Sequence, residues 1–98
     1  MMTEQRPILA FFTSSHSGPG RRMESLLAQL AYRERGRLRV MRVDVDERPE
    51  LAERFRVSVV PTLVLAKDRR VVNRLEGRAS VPKIQRMLAE SLEMQAAA

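Results

Sequence analysis

Two hydrophobic periodicities alternate along this chain, and the alternation restricts its fold more than any single residue does. Ile8 to Thr13 is a short apolar run rich in β-formers. It lacks polar alternation, which predicts a strand buried on both faces. Ser, Gly and Pro then break the pattern between Ser14 and Gly20. From Pro19 the spacing becomes helical, with Met23, Leu26, Leu27, Leu30 and Ala31 on one face. Gly36 stands where a helix C-cap is expected. Leu38 to Val45 reads as a second strand. Asp46 is placed to cap a short helix with Pro49 in its first turn and Leu51, Ala52 and Phe55 on one side. Val57 to Val60 leads into Pro61. Thr62 to Ala66 and Val71 to Leu75 read as two further strands, joined by a turn at Lys67 to Arg70 that suits an antiparallel hairpin. Gly77 interrupts the chain. Ser80 then caps a last helix, with Pro82 in its first turn and Ile84, Met87, Leu88 and Leu92 facing inward.

The predicted order is β-α-β-α-β-β-α. A strand–helix–strand unit implies parallel pairing with a crossover, and the closing hairpin adds an antiparallel pair. The expected architecture is an α/β domain: a mixed four-stranded sheet with helices on both faces. A chain of 98 residues suits one core, not two. It is read as a single domain over 1–98, with its core over 7–92 and a frayed tail at 95–98. No apolar run approaches the ~18–20 residues of a membrane helix. The first apolar run lacks the features of a secretory signal, so the expected location is cytoplasmic, without membrane contact.

Composition then narrows the chemistry. The chain has no Cys and a single His, His16. Disulfides, thiolate-ligated metals, thiol nucleophiles and clusters of His ligands are therefore excluded. No metal and no cofactor is expected. The formal net charge is +6, and all but two of the 18 basic residues are Arg, the exceptions being Lys67 and Lys83. The arginines are interspersed with Asp and Glu, which reads as a solvated surface. Arg33, Arg35, Arg37 and Arg39 form the densest run. With only three Phe and one Tyr to stack on bases and no reading motif, the composition speaks against a nucleic-acid partner.

The element order, the Gly-Pro turn opening the first helix and Val-Pro-Thr before the third strand together resemble the thioredoxin family from Pro7 to Leu92. Val40 to Asp46 is similar to the family's core strand and its Asp-ended turn. Val59-Val60-Pro61-Thr62-Leu63 resembles its cis-proline motif, and Gly77 falls at its glycine before the last helix. The family's N-terminal strand and helix have no counterpart in this sequence, so the resemblance is to a minimal version of the fold. The redox motif departs from the family pattern. Trp-Cys-Gly-Pro-Cys aligns with His16-Ser17-Gly18-Pro19-Gly20, and the family's buried aspartate aligns with Phe11. Thiol–disulfide exchange needs a thiolate that forms a mixed disulfide. Serine and glycine cannot supply one, so the resemblance implies the fold without its usual catalysis, and no catalytic residue is assigned.

Three surviving features are candidates for other work. The turn from Ser17 through Gly18, Pro19 and Gly20 to Arg21 and Arg22 offers a helix N-terminus and two cations, suited to a small anion or to glutathione. Its plainer reading is a cap with solvated arginines. At Val60-Pro61, the resemblance implies a backbone that pairs with an extended peptide; the plainer reading is a shaped approach to the strand. His16 beside Ser17 lacks an orienting third group and reads as an exposed loop histidine. Asp44 and Asp46 read as structural, Asp46 as a helix cap, with Arg42 or Arg48 able to neutralise the local charge. The favoured expectation is a redox-inactive module that binds a protein or peptide, in keeping with cysteine-free relatives that act as assembly chaperones. The alternatives are an anion- or glutathione-binding domain and a structural domain without ligand, each as monomer or homodimer.

Overall fold

The computed structural model describes residues 6–16 and 18–92. Seven elements follow in the order β1 (Ile8–Thr13), α1 (Gly18–Arg33), β2 (Arg39–Asp44), α2 (Pro49–Arg54), β3 (Thr62–Lys67), β4 (Arg70–Glu76) and α3 (Val81–Ser91). Ser17 and the tail 95–98 lie outside the described residues.

The four strands form one sheet in the order β2-β1-β3-β4. β1 pairs in parallel with β2, as the long helical connection requires, and antiparallel with β3. The β3–β4 hairpin is antiparallel, with a register irregularity between Leu65 and Ala66. Its turn uses Asp68 and Arg69, both at positive φ. The two central strands hold the least exposed side chains: Leu9, Phe11 and Phe12 on β1, and Leu63, Val64 and Leu65 on β3. Burial on both faces explains why these runs do not alternate with polar residues.

The two faces are unequally covered. On one, Leu9, Phe11, Leu63 and Leu65 pack with Met23, Leu27 and Leu30 of α1 and with Ile84 and Met87 of α3. The α1 spacing of four and three residues brings those side chains onto one stripe. Phe11 thus sits among Leu and Met side chains with no room for a solvated charge. On the other face, Phe12, Val43 and Val64 meet Leu51, Phe55 and Val57 around the short α2. The Phe12 and Phe55 rings are tilted, with centroids 5.9 Å apart.

Two local expectations are corrected. Asp46 does not cap α2; the N-cap residue is Arg48, without a side-chain cap bond. The carboxylate that organises this turn is Asp44, whose Oδ1 accepts the N–H of Asp46 at 2.8 Å and of Glu47 at 3.3 Å. Asp44 closes the turn straight from the strand end, and α2 begins after it, with its N-cap two residues later than the spacing suggested. Gly36 is not a left-handed C-cap. Gly77 is the glycine found at positive φ, while α1 ends at Arg33 and continues as turns in which Glu34 accepts from Arg37 and Leu38. The expected neutralisation is seen in part: Arg42 is attracted to Asp44 and Glu47, although among the described residues neither Arg42 nor Arg48 forms an ion pair with the aspartates. Arg42 bonds Glu24 across to α1, and Arg48 bonds Glu50 at 2.9 Å. In α3 the expected cap is present: Ser80 Oγ accepts the Lys83 N–H at 3.3 Å.

Candidate functional site

Strand register gathers the expected site at one end of the sheet. Thr13 at the end of β1 pairs with Asp44 at the end of β2. Phe12 faces Thr62 at the start of β3, which faces Glu76 at the end of β4. The chain segments next to these residues therefore emerge together: 14–20 after β1, 45–48 after β2, and Val59 to Pro61 before β3. This is the end at which strand-to-helix connections of α/β sheets bind ligands.

The β1–α1 connection is held at Ser14, which is buried. Its hydroxyl donates to Asp46 Oδ2 at 2.7 Å and accepts the His16 N–H at 3.2 Å. The sequence reading missed this pair; a serine immediately after a buried strand was its only local sign. His16 is exposed and tied here by its backbone. Gly18 is the first residue of α1 and is exposed, Pro19 follows, and Gly20 is buried. Arg21 and Arg22 are exposed, and Arg22 folds back so that its Nη1 lies 4.0 Å from the position a Gly18 Cβ would take. The first turn of α1 contains no acidic residue to compete with them.

The second segment is anchored at both flanks. Thr62 Oγ1 donates to Val59 O at 2.7 Å, and the Gly77 N–H donates to Pro61 O at 2.8 Å. Pro61 is buried, Val60 half-buried, and Val59 46% exposed. The Val60–Pro61 peptide bond is cis. Among the described residues, nothing accepts the Val60 N–H or donates to its carbonyl. The hydroxyl of Thr62 and the amide of Gly77 are the supports that sequence reasoning did not assign.

The surroundings carry both signs of charge: Arg21 and Arg22 on α1, Asp44 at the end of β2, and Asp46 and Glu47 after it. Nearby, the Glu24 hydrogen bond pushes the Arg42 guanidinium pKa above its usual value, against the opposing effect of burial. The Arg48 hydrogen bond likewise holds the Glu50 carboxyl below its usual range. Among the described residues, no group of three His, Asp or Glu is arranged to hold a metal ion. No helix among them is long and apolar enough to cross a membrane. A depression of about 300 Å³ lined by Leu30, Leu38, Leu88 and Leu92 opens between the C-terminal ends of α1 and α3, away from this site. What the register gathers is a surface of backbone groups and exposed side chains.

Comparison with known proteins adds coverage to geometry. The thioredoxin family profile matches residues 1–90. The thioredoxin of Mycobacterium tuberculosis is 31% identical over 90 residues, covering 92% of this chain and 78% of its own. The bifunctional thioredoxin reductase/thioredoxin of Mycobacterium leprae is 29% identical over 90 residues, and this chain spans only 20% of it. Among solved structures, the germline-specific thioredoxin Deadhead of Drosophila melanogaster superposes with a TM-score of 0.83 at 31% identity, over 89% of this chain and 82% of that one. The mixed four-stranded sheet, its three helices and a profile match over most of the length agree, and this cysteine-free chain belongs to the thioredoxin family.

Proposed function

We propose that the chain is a redox-inactive member of the family that binds a protein or an extended peptide through the surface formed by Gly18–Arg22 and Val59–Pro61. Thiol–disulfide exchange passes through a mixed disulfide, and a chain without Cys has no sulfur to form one. The observation that carries the binding reading is the main chain at Val60. Its N–H and C=O are unpartnered among the described residues, while Val59 and Pro61 on either side are held by Thr62 and Gly77. A rigidly held, unpaired donor and acceptor suit the backbone of an extended segment, and the exposed Val59 adds apolar contact.

A second reading rests on Arg22, whose guanidinium lies over the first turn of α1 beside the exposed Gly18. That arrangement favours a small anion, with phosphate or glutathione as the probe. One experiment separates the two. Peptides selected from a random library for binding to the chain are titrated into labelled protein while amide resonances are followed. Shifts at 59–62, and weaker binding by Val60→Pro with the remaining amides unmoved, support the first reading. Shifts confined to 18–22 on adding millimolar phosphate or glutathione, with no peptide selected, support the second. In an insulin-reduction assay with a dithiol reductant the chain is expected to match the protein-free rate. Turnover clearly above that rate would remove the redox-inactive assignment.

A further inference from the structure

Strand β2 is an outer strand of the sheet, so among the described residues one of its sides has no neighbour. The Arg39 N–H donates to Pro7 O, and past the strand end the Val45 N–H donates to Thr13 O. Odd-numbered residues therefore direct their main-chain groups toward β1. Alternation turns the N–H and C=O of Val40 and Arg42 outward. The β1–β2 register runs unbroken from Arg39 to Asp44. The opposite outer strand, β4, is instead distorted beside Leu65 and Ala66, as blunted sheet edges commonly are.

Outer strands usually carry charge that holds copies apart. On β2 the charges are sorted by sign along the strand. Arg35, Arg37 and Arg39 stand at its start, Arg37 bonded to Glu34, and Asp44, Asp46 and Glu47 at its end, followed by Arg48 bonded to Glu50. Arg42, in the middle, is bonded to Glu24 of its own chain. A parallel neighbour of the same sequence would set like charge against like. An antiparallel one sets the basic start against the acidic end, and does so twice. The face beneath is also open: Met41 is 37% exposed beside half-buried Ala10, on the side where α2 covers only the far end.

We infer that the chain associates with a second copy of itself by antiparallel β2–β2 pairing about a two-fold axis. An axis at Arg42 would place that residue opposite itself, which like charge disfavours. With the axis at Met41, Val40 faces Arg42 of the second copy in reciprocal hydrogen-bonded pairs, and Met41 meets its own counterpart. The axis stands normal to the sheet, so the eight strands are continuous and the two open faces lie on one side. The interface closes on itself, as a two-fold contact must.

The absence of Cys makes the test direct, because a single introduced thiol reports only its own approach. Non-hydrogen-bonded partners in an antiparallel pair lie about 4.5 Å apart at Cα, and a disulfide spans about 4.4–6.8 Å. Under mild oxidation of the full chain, Met41→Cys should give a cross-linked dimer roughly tenfold faster than Val72→Cys, which lies on the other outer strand. Sedimentation equilibrium of the unaltered chain should show a dimer that weakens with added salt. Met41→Lys, which places like charges across the axis at an already exposed position, should weaken it by roughly tenfold or more. A monomer at every concentration up to the millimolar range overturns the inference. So does a dimer indifferent to Met41→Lys, or equal cross-linking rates for the two thiol variants.

Discussion

Asp44 and Asp46 show how two identical side chains, two residues apart, take different work from their neighbours. Asp44 ends β2 with its carboxylate beneath the N–H groups of Asp46 and Glu47. Asp46 instead reaches across to the Ser14 hydroxyl on the β1–α1 connection. Replacing Asp44 by Ala should cost about 1 kcal/mol, the usual worth of a side chain that caps a turn of backbone amides. Ser14→Ala and Asp46→Ala each remove the same contact. In a double-mutant cycle they should couple by about 0.5–1 kcal/mol, measured from urea midpoints at unchanged slope. Additive effects would mean that the two side chains act separately, as a helix-capping Asp46 would. The sequence shows an Asp before a helix pattern; it does not show which of two aspartates the backbone reaches first. That depends on where β2 stops, and element boundaries follow tertiary pairing more than local preference.

At the scale of elements, the least self-sufficient piece is α2. It is six residues long, has no buried residue and lacks a side-chain cap. Its end is secured from β4. Arg74 donates from Nη1 to Phe55 O at 2.9 Å and from Nη2 to Arg56 O at 3.0 Å, where Arg56 takes a positive φ. These carbonyls lie at the C-cap of α2 and the residue after it, where the chain leaves the helix with acceptors to satisfy. The Arg74 Nε lies 3.6 Å from Glu76, within ion-pair range but too far for a hydrogen bond, and it is buried without one. We expect Arg74→Met to keep the packing of the stem while losing both bonds, at about 2 kcal/mol. Arg74→Lys should recover less than half, because an ammonium cannot reproduce the fork. Urea unfolding of both variants checks this, and a loss below ~0.5 kcal/mol for Arg74→Met would leave the contact without energetic weight. No sequence pattern announces the link, since its two ends lie 18 and 19 residues apart. By contrast β1 and β3 were legible as unbroken apolar runs buried on both faces, and α1 and α3 because each repeats the helical period over its length and buries residues that carry it. The candidate site was half legible for the same reason. The Gly-Pro turn and Val60-Pro61 are local motifs, while Ser14, Thr62 and Gly77 act through partners that only the folded chain supplies.

The whole molecule is asymmetric in a way that should govern how it opens. Eleven buried residues form the core between the sheet and the pair α1 and α3, whereas three form the core beneath α2. If burial sets local stability, the α2 side should open first and without unfolding the rest. Native-state hydrogen exchange would read this directly. Amides of β1 and β3, central to the sheet, should exchange only through global unfolding. Amides from Ala52 to Val57 should exchange through a smaller opening whose free energy is insensitive to low denaturant. Two truncations then separate the cores. Leu27→Ala, in the larger one, should cost about 2–5 kcal/mol, lower the protection of β1 and β3 by that amount and leave the smaller opening at α2 nearly unchanged. Leu51→Ala, at the smaller one, loses a contact that both openings break, so it should lower the protection of α2 and of β1 and β3 by the same amount. The β1–β3 pair is shared by both faces, so it is protected for as long as either core survives. Val60 hangs from the start of β3, and its main-chain groups should thus remain placed even while α2 opens. Equal loss of protection across α2 and β1 in Leu27→Ala would show instead that the two cores unfold as one.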